Sequence, residues 1–388
     1  MKGHIVLAAV FLALAPASSA AQQTVSDVLG FLVTNQAIPT GDVERDRAAG
    51  EAARDTITRA LLVNLTSVPL ATSSSGFLYR LNPELGTVER ATESFGGFFV
   101  ERALTAGRGR ASFGVSATTS AFTQLDGREL RDGTLVTIAM RFRDEPAAFD
   151  TETLTLRLRS STMTVFGSYG VTDRLEIGGA VPFVRLNLEG QRINVYYGET
   201  FLQASGTAIA SGVADVAVRA KYTLMSAPHG GIAAAAELRL PTGDEASLLG
   251  AGSSAYRFMM IGSVEEGRLA LHGNAALVRG GVSDEVDFAG AASIALSPRV
   301  TLAGELLGRR VPDLRDITLS AQPHPTSLGV DTLRLVPGPS GTTLMNAVAG
   351  IKWNVGGTLV LGGQLAWPLT SRGLTASMTP TLGLEYAF

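Results

Sequence analysis

From about residue 74 to the end of the chain, apolar side chains fall at every second position, and this period of two constrains the fold most. A β-strand sends successive side chains to opposite faces, so each such stretch has one greasy face and one polar face. In Asp215–Leu224, Val216, Val218, Ala220, Tyr222 and Leu224 share one face, and Asp215, Ala217, Arg219, Lys221 and Thr223 share the other. Past a turn at 226–230 the scheme repeats, with Ile232, Ala234, Ala236, Leu238 and Leu240 opposite Ala233, Ala235, Glu237 and Arg239. The stretches 268–277, 300–307 and 359–367 follow suit. Alternation alone leaves two homes for the greasy row: the core of a water-soluble sandwich, or the hydrocarbon around a barrel.

Loop lengths discriminate between these. Connections at 105–107, 170–173, 226–230, 265–267, 297–299 and 354–357 are short, whereas 123–150, 189–211, 241–253 and 311–342 are long and more polar. One short rim and one long rim mark a bacterial outer-membrane barrel. The expected fold is all-β: a transmembrane antiparallel up-and-down β-barrel of about 14 strands (range 12–16). Its strands start near 74, 94, 108, 151, 174, 211, 230, 254, 268, 285, 300, 343, 358 and 376. The alternation slips phase near Ser160 and Ser161 and again after Pro182, which predicts β-bulges there. Tyr169, Tyr222, Trp353, Tyr386 and Phe388 fall beside short turns or at the chain end, as an interfacial aromatic belt would. The terminal aromatic strand makes the barrel-assembly machinery an expected partner.

Composition agrees with a wall bathed in lipid. Hydrophobic residues make up 45% of the chain and charged residues only 17%, against roughly a quarter charged in soluble domains. The expected surroundings are outer-membrane lipid and lipopolysaccharide. Cysteine is absent, which excludes disulfides and thiolate chemistry. A net charge of −3 gives no reason to expect nucleic acid.

The first residues read differently. Met1 and Lys2, an apolar run from Ile5 to Ala15 and the small residues 18–21 follow the order of a secretory signal, so residues 1–21 are set apart as an export signal. Residues 22–68 form a helical segment ahead of the barrel at 69–388. Val25, Val28, Leu29 and Leu32 recur at helical spacing behind Thr24 as N-cap, and a second helix spans about 43–62 with a stripe of Ala53, Ile57, Ala60 and Leu61. This segment is either a plug inside the lumen or a periplasmic piece at the barrel mouth.

Certain words match a known family. Tyr169–Gly178 with Ala180–Pro182, Gly212–Val216 with Ala220–Tyr222, and the strand end Leu238–Asp244 resemble the barrel family named for the MetA pathway of phenol degradation. The similarity covers roughly 155–388; Ser73–Phe77, Ser94–Gly97 and Glu101–Leu104 resemble a subgroup extension. The resemblance implies an outer-membrane channel, loosely related to fatty-acid and toluene transporters, for passive uptake of small hydrophobic or aromatic solutes. The alternative is a structural or surface-interaction barrel with a sealed lumen.

Candidate chemistry is sparse. His229, His272 and His324 have no metal-ligand spacing, and no nucleophile elbow is present, so no enzyme, metal or cofactor is expected. Arg157, Arg159, Asp215, Arg219, Lys221, Glu237, Arg239, His272 and Glu305 are the residues expected to line the lumen. They form either a charged constriction or a self-neutralising set that anchors the plug. Phe77, Tyr79, Phe95, Phe98 and Phe99 cluster early in the barrel, as an apolar solute path, as lipid-facing surface or as packing against the N-terminal segment.

Overall fold

The computed structural model describes residues 23–34, 42–66, 79–82, 87–90 and 93–388. The expected signal at 1–21 and Phe77 lie outside the described residues, and the side chain of Tyr79 is likewise not described.

Two helices come first. In α1 (Val25–Thr34) the backbone N–H of Asp27 donates to Thr24 Oγ1 and that of Thr24 donates to Asp27 Oδ2, each at 3.1 Å. This reciprocal capping box satisfies donors that the first turn leaves orphaned. In α2 (Val43–Thr66) the stripe Ala53, Ile57, Ala60 and Leu61 is buried. Among the described residues no helix is long and apolar enough to cross a membrane.

The strands follow. A short hairpin of β1 (Tyr79–Asn82) and β2 (Thr87–Arg90) precedes β3 (Ala111–Leu125), β4 (Arg128–Glu129), β5 (Val136–Phe142), β6 (Ala148–Gly170) and β7 (Leu175–Tyr196). Next come β8 (Glu199–Val213), β9 (Val216–Ala227), β10 (Gly230–Leu240), β11 (Ala255–Glu266), β12 (Leu269–Gly280) and β13 (Glu285–Ser297). The chain closes with β14 (Val300–Pro323), β15 (Val330–Gly356), β16 (Leu359–Pro368), β17 (Leu374–Ala376) and β18 (Thr379–Ala387).

Twelve of these form a closed antiparallel ring, in the order β3, β6, β7, β9, β10, β11, β12, β13, β14, β15, β16, β18. The seam is β18 on β3, with Leu382 opposite Ala117. The expected 14 strands are therefore corrected to 12. The two surplus strands were placed near 74 and 94. Residues 74–78 lie outside the described residues, β1 and β2 pair with each other, and 93–108 carry bends rather than a ladder.

Neither expected phase slip interrupts the β6–β7 ladder, which runs from Asp150 opposite Tyr196 to Gly170 opposite Glu176. On the other edge of β7 the register does shift by one beside Pro182, between Ala180 opposite Ala217 and Phe183 opposite Val213, with the extra residue on the β8–β9 side. What changes is the surroundings of each face. Near the short-turn rim the inner row of β6 is Thr162, Thr164, Phe166 and Ser168, and Met163 and Tyr169 point outward. Farther up, Leu154, Leu156 and Leu158 turn inward onto the helices while Arg157 and Arg159 face out. In β7, Leu186 and Leu188 repeat the inversion above Pro182. Polarity inverts at constant register, and from sequence that imitates a bulge.

Three of the four expected long loops are mostly strand. The stretch 123–150 contains β4 and β5, 189–211 is the β7–β8 hairpin, and 311–342 is the upper half of the β14–β15 hairpin. The β7–β8 turn places Tyr197 at φ 47° and Gly198 at φ 87°, the left-handed pair that a tight two-residue hairpin requires. Only 241–253 lacks a strand, so the tall rim is built of extended hairpins.

On the outside, every ring strand exposes a large apolar side chain. Phe113, Met163, Ile177, Val218, Ile232 and Met260 mark the first six strands; Leu271, Phe288, Leu306, Ile351, Leu365 and Leu384 mark the rest.

Candidate functional site in the lumen

The chain fills its own barrel in two tiers. In the upper tier α1 lays Val28, Leu29 and Leu32 against Leu154, Leu156, Leu158, Leu186, Leu188 and Ala204 of the tall wall. Each buried leucine contributes roughly 1.5–3 kcal/mol. Gly190 admits the helix, because a Cβ there would strike Leu32. Arg192 on β7 closes the end of α1. Its Nη1 donates to the carbonyls of Leu32 (2.7 Å) and Val33 (2.9 Å), its Nε donates to Glu152 (2.6 Å) and its Nη2 to Thr137 Oγ1 (2.9 Å). A fixed cation is thereby set on carbonyls that a helix end leaves unpaired. The second helix is tied by an Asp46–Arg334 ion pair near its start, and Arg309 donates to the Val63 carbonyl (3.4 Å) near its end.

The lower tier is residues 93–108, a segment of bends and turns close to the short-turn rim. Irregular backbone in an enclosed space needs a partner for each polar group, and the barrel wall supplies side chains. Phe95 N–H donates to Thr301 Oγ1 (3.0 Å), and the N–H groups of Phe98 and Phe99 donate to Glu305. Ala103 N–H donates to Ser263 Oγ (2.9 Å), and its carbonyl accepts from Thr223 Oγ1 (2.8 Å). Ala106 N–H donates to Glu176 (2.8 Å).

Of the three lysines in the chain, Lys221 and Lys352 are both buried here. Lys221 Nζ donates to the carbonyls of Leu104 (3.1 Å) and Arg102 (3.4 Å) and sits 3.6 Å from both Glu101 and Glu176. Lys352 Nζ donates to the Gly97 carbonyl and lies 4.7 Å from the centre of the Phe98 ring. An ammonium offers three donors from one point, which suits a cluster of carbonyls and carboxylates.

Between the tiers lies a cavity of about 230 Å³. Ser116, Thr118 and Ser120 of β3 and Ser160, Thr162 and Thr164 of β6 line one wall with hydroxyls. Leu65, Phe99, Phe122, Val184, Leu307 and Leu344 supply apolar surface, and Asp215, Arg239, Arg309 and Arg372 also border it.

Against this geometry the expected site residues separate. Arg219 pairs with Glu101, and Arg239 pairs with Glu237 at 2.9 Å. Glu305 and Lys221 hold the lower tier, as described. Asp215 accepts from the N–H groups of Gly243 (3.0 Å) and Ala251 (2.8 Å), so it fastens the 241–253 loop. His272 Nδ1 meets Ser263 Oγ at 2.9 Å. Arg157 and Arg159 are corrected: both stand on the outer face of β6, where Arg157 is 65% exposed. Leu156 before them and Leu158 between them took the inner row. Phe95 and Phe98 are buried in the lower tier and Phe99 borders the cavity. Tyr169, Tyr222, Trp353, Tyr386 and Phe388 are exposed on or near the short-turn rim.

Sequence reasoning missed Glu101, Arg102, Glu176, Ser263, Thr301 and Lys352. The scarcity of lysine was the available signal, because both lysines beyond the N-terminus serve the same segment.

No family model matches the chain, and no curated protein does. Among solved structures it is similar to the COG4313 outer membrane channel from Pseudomonas putida F1, with a TM-score of 0.45 and 13% identity over 74% of this chain and 98% of that one. It is also similar to the toluene transporter TbuX of Ralstonia pickettii, with a TM-score of 0.30 and 10% identity over 73% and 90% of the two chains. A Pseudomonas aeruginosa FadL homologue gives a TM-score of 0.32 and 8% identity over 72% and 90%. At such identities a role has to be argued from this chain's own geometry.

Proposed function

We propose that the protein is an outer-membrane barrel that passes small, weakly polar molecules, apolar or aromatic in class, down their gradient. The observation that carries this reading is the pairing of an outer surface apolar on every ring strand with an enclosed interior, apolar above and polar below, that leaves a cavity between two tiers. A closed ring with this polarity fits hydrocarbon outside and an enclosed lumen inside. A cavity of about 150 Å³ suffices for benzene, so 230 Å³ suits a single-ring solute. Its apolar wall would take the ring and its hydroxyl wall a weakly polar substituent. In this reading the lower tier is the barrier, and conduction requires its displacement. The barrel-assembly machinery would receive the last strand, ending at Phe388, and outer-membrane lipid would surround the belt.

The dense hydrogen bonding of residues 93–108 favours a second reading, a barrel with a permanently sealed lumen. Proteoliposome uptake separates the two. Proteoliposomes of the wild type and of Lys221→Met are presented from outside with a single-ring aromatic or with a disaccharide of larger volume. Faster aromatic uptake in the variant supports the channel. No uptake by either protein supports the sealed barrel.

A further inference from the structure

We propose that Arg159 and Arg185, on the outer face of the β6–β7 pair, form a docking site for the phosphate groups of an acylated glycolipid of the outer leaflet. The proposal rests on the membrane reading above and adds a binding site to it. Met163 and Phe183 face each other across the two strands, exposed by 47% and 37%, as the top apolar pair of the outer row. One step farther up Ser161 faces Arg185, and one step beyond that Arg159 faces Asn187. With about 3.3 Å per residue along strands tilted by roughly 40°, the two arginines stand roughly 5 and 10 Å above the apolar edge. That is the level of the headgroups if Met163 and Phe183 touch acyl chains.

The charges there are unbalanced. Arg157 has Glu189 at 3.5 Å, whereas Arg159 and Arg185 have no acidic partner among the described residues. They are diagonal neighbours on adjacent strands, a separation of about 7–8 Å between backbones that one anion can bridge with two guanidinium forks. Two like charges at that spacing repel each other unless an anion lies between them. Asn187, Ser161 and Ser211, the last opposite Arg185 on β8, are neutral hydrogen-bonding neighbours, Ala121 and Ile209 flank the patch with apolar surface, and Glu189, diagonal to Arg159, is engaged by Arg157. The patch runs directly into the apolar row, so it suits a ligand with phosphate and hydrocarbon in one molecule. Free phosphate would use only half of it.

The full chain is placed in phosphatidylcholine nanodiscs containing either bisphosphorylated lipid A or its dephosphorylated form, and retained lipid A is counted by native mass spectrometry. The wild type retains the phosphorylated form at least about tenfold better, as two arginines at an anionic surface would provide. Arg159→Gln with Arg185→Gln removes that preference, while Arg157→Gln leaves it. Equal retention of the two lipids by the wild type, or an unchanged preference in the double variant, overturns the site. Displacement by inorganic phosphate as effective as by lipid A overturns the lipid as its source. A wild type that does not enter nanodiscs refutes the membrane reading, and the site with it, which keeps the two failures distinct.

Discussion

Lys221→Met tests what holds the lower tier in place. Lys221 is 1% exposed, donates to two carbonyls of the segment and sits between the carboxylates of Glu101 and Glu176. Methionine fills similar volume but offers no donor. Glu101 keeps Arg219, and Glu176 keeps the Ala106 N–H, yet both lose the ammonium they share. Breaking a buried ion pair on one side costs about 3–5 kcal/mol. The ring ladder between β9 and its neighbours uses backbone groups only and is untouched. The cost therefore falls on the docking of residues 93–108. About 4 kcal/mol is roughly a thousandfold in the open population, at 1.4 kcal/mol per decade. Hydrogen exchange with mass spectrometry reads this directly: the amides of Phe95, Phe98, Ala103 and Ala106 should exchange up to about a thousand times faster. Those of β9 and β10 should not change. Unaltered exchange in the segment, or equal loss of protection throughout the barrel, would refute the reasoning.

Further outcomes follow from the same geometry. Leu156→Ala, at a site 2% exposed beneath the helices, should cost about 2–5 kcal/mol and speed amide exchange in α1 while the short-turn half of β6 stays protected. Met260→Arg, on the exposed row of β11, should destabilise the barrel in bilayers by about 2–4 kcal/mol, seen as a lower urea midpoint. Hydrogen bonds from Thr24 hold the Asp27 carboxyl below its ordinary value of 3.8. The cap is then fully present above that value and lost as pH falls through the depressed one. Circular dichroism of α1 within the full chain is insensitive to one turn, so the check is the protection factor of the Val28 amide, its exchange divided by the intrinsic rate at each pH, which should fall on acidification and which Asp27→Asn should render independent of pH.

Much of the wall was legible because a strand's period is a local property. Val218 and Tyr222 outward, with Arg219 and Lys221 inward, needed nothing but the pleat. The capping box at Thr24 and Asp27 and the stripe on α2 were local as well. The failures share one cause, contacts distant in the chain. Leu154–Leu158 turn inward because α1 lies there, and the alternation at Ser160 and Ser161 could not reveal a helix from residues 25–34. Residues 94–100 read as a strand because they are rich in aromatic and small residues, whereas Thr301, Glu305 and Lys352, two hundred residues away, take their backbone groups. Phe95 and Phe98 of the aromatic cluster became filling of the lower tier for the same reason.

The chain has two tryptophans, and both stand on the outer row: Trp353 on β15, 47% exposed, and Trp367 on β16, 39% exposed. Trp353 faces Leu361, so the two indoles are about 20 Å apart along the strands, or about 15 Å in height on strands tilted by roughly 40°, which fits within an apolar band about 25 Å tall. Their fluorescence in proteoliposomes reports what the greasy row touches. Strong quenching by lipids brominated on their acyl chains, with little quenching by aqueous iodide, is the result expected of a ring immersed in hydrocarbon. Iodide quenching of both, with none from brominated lipid, would contradict it.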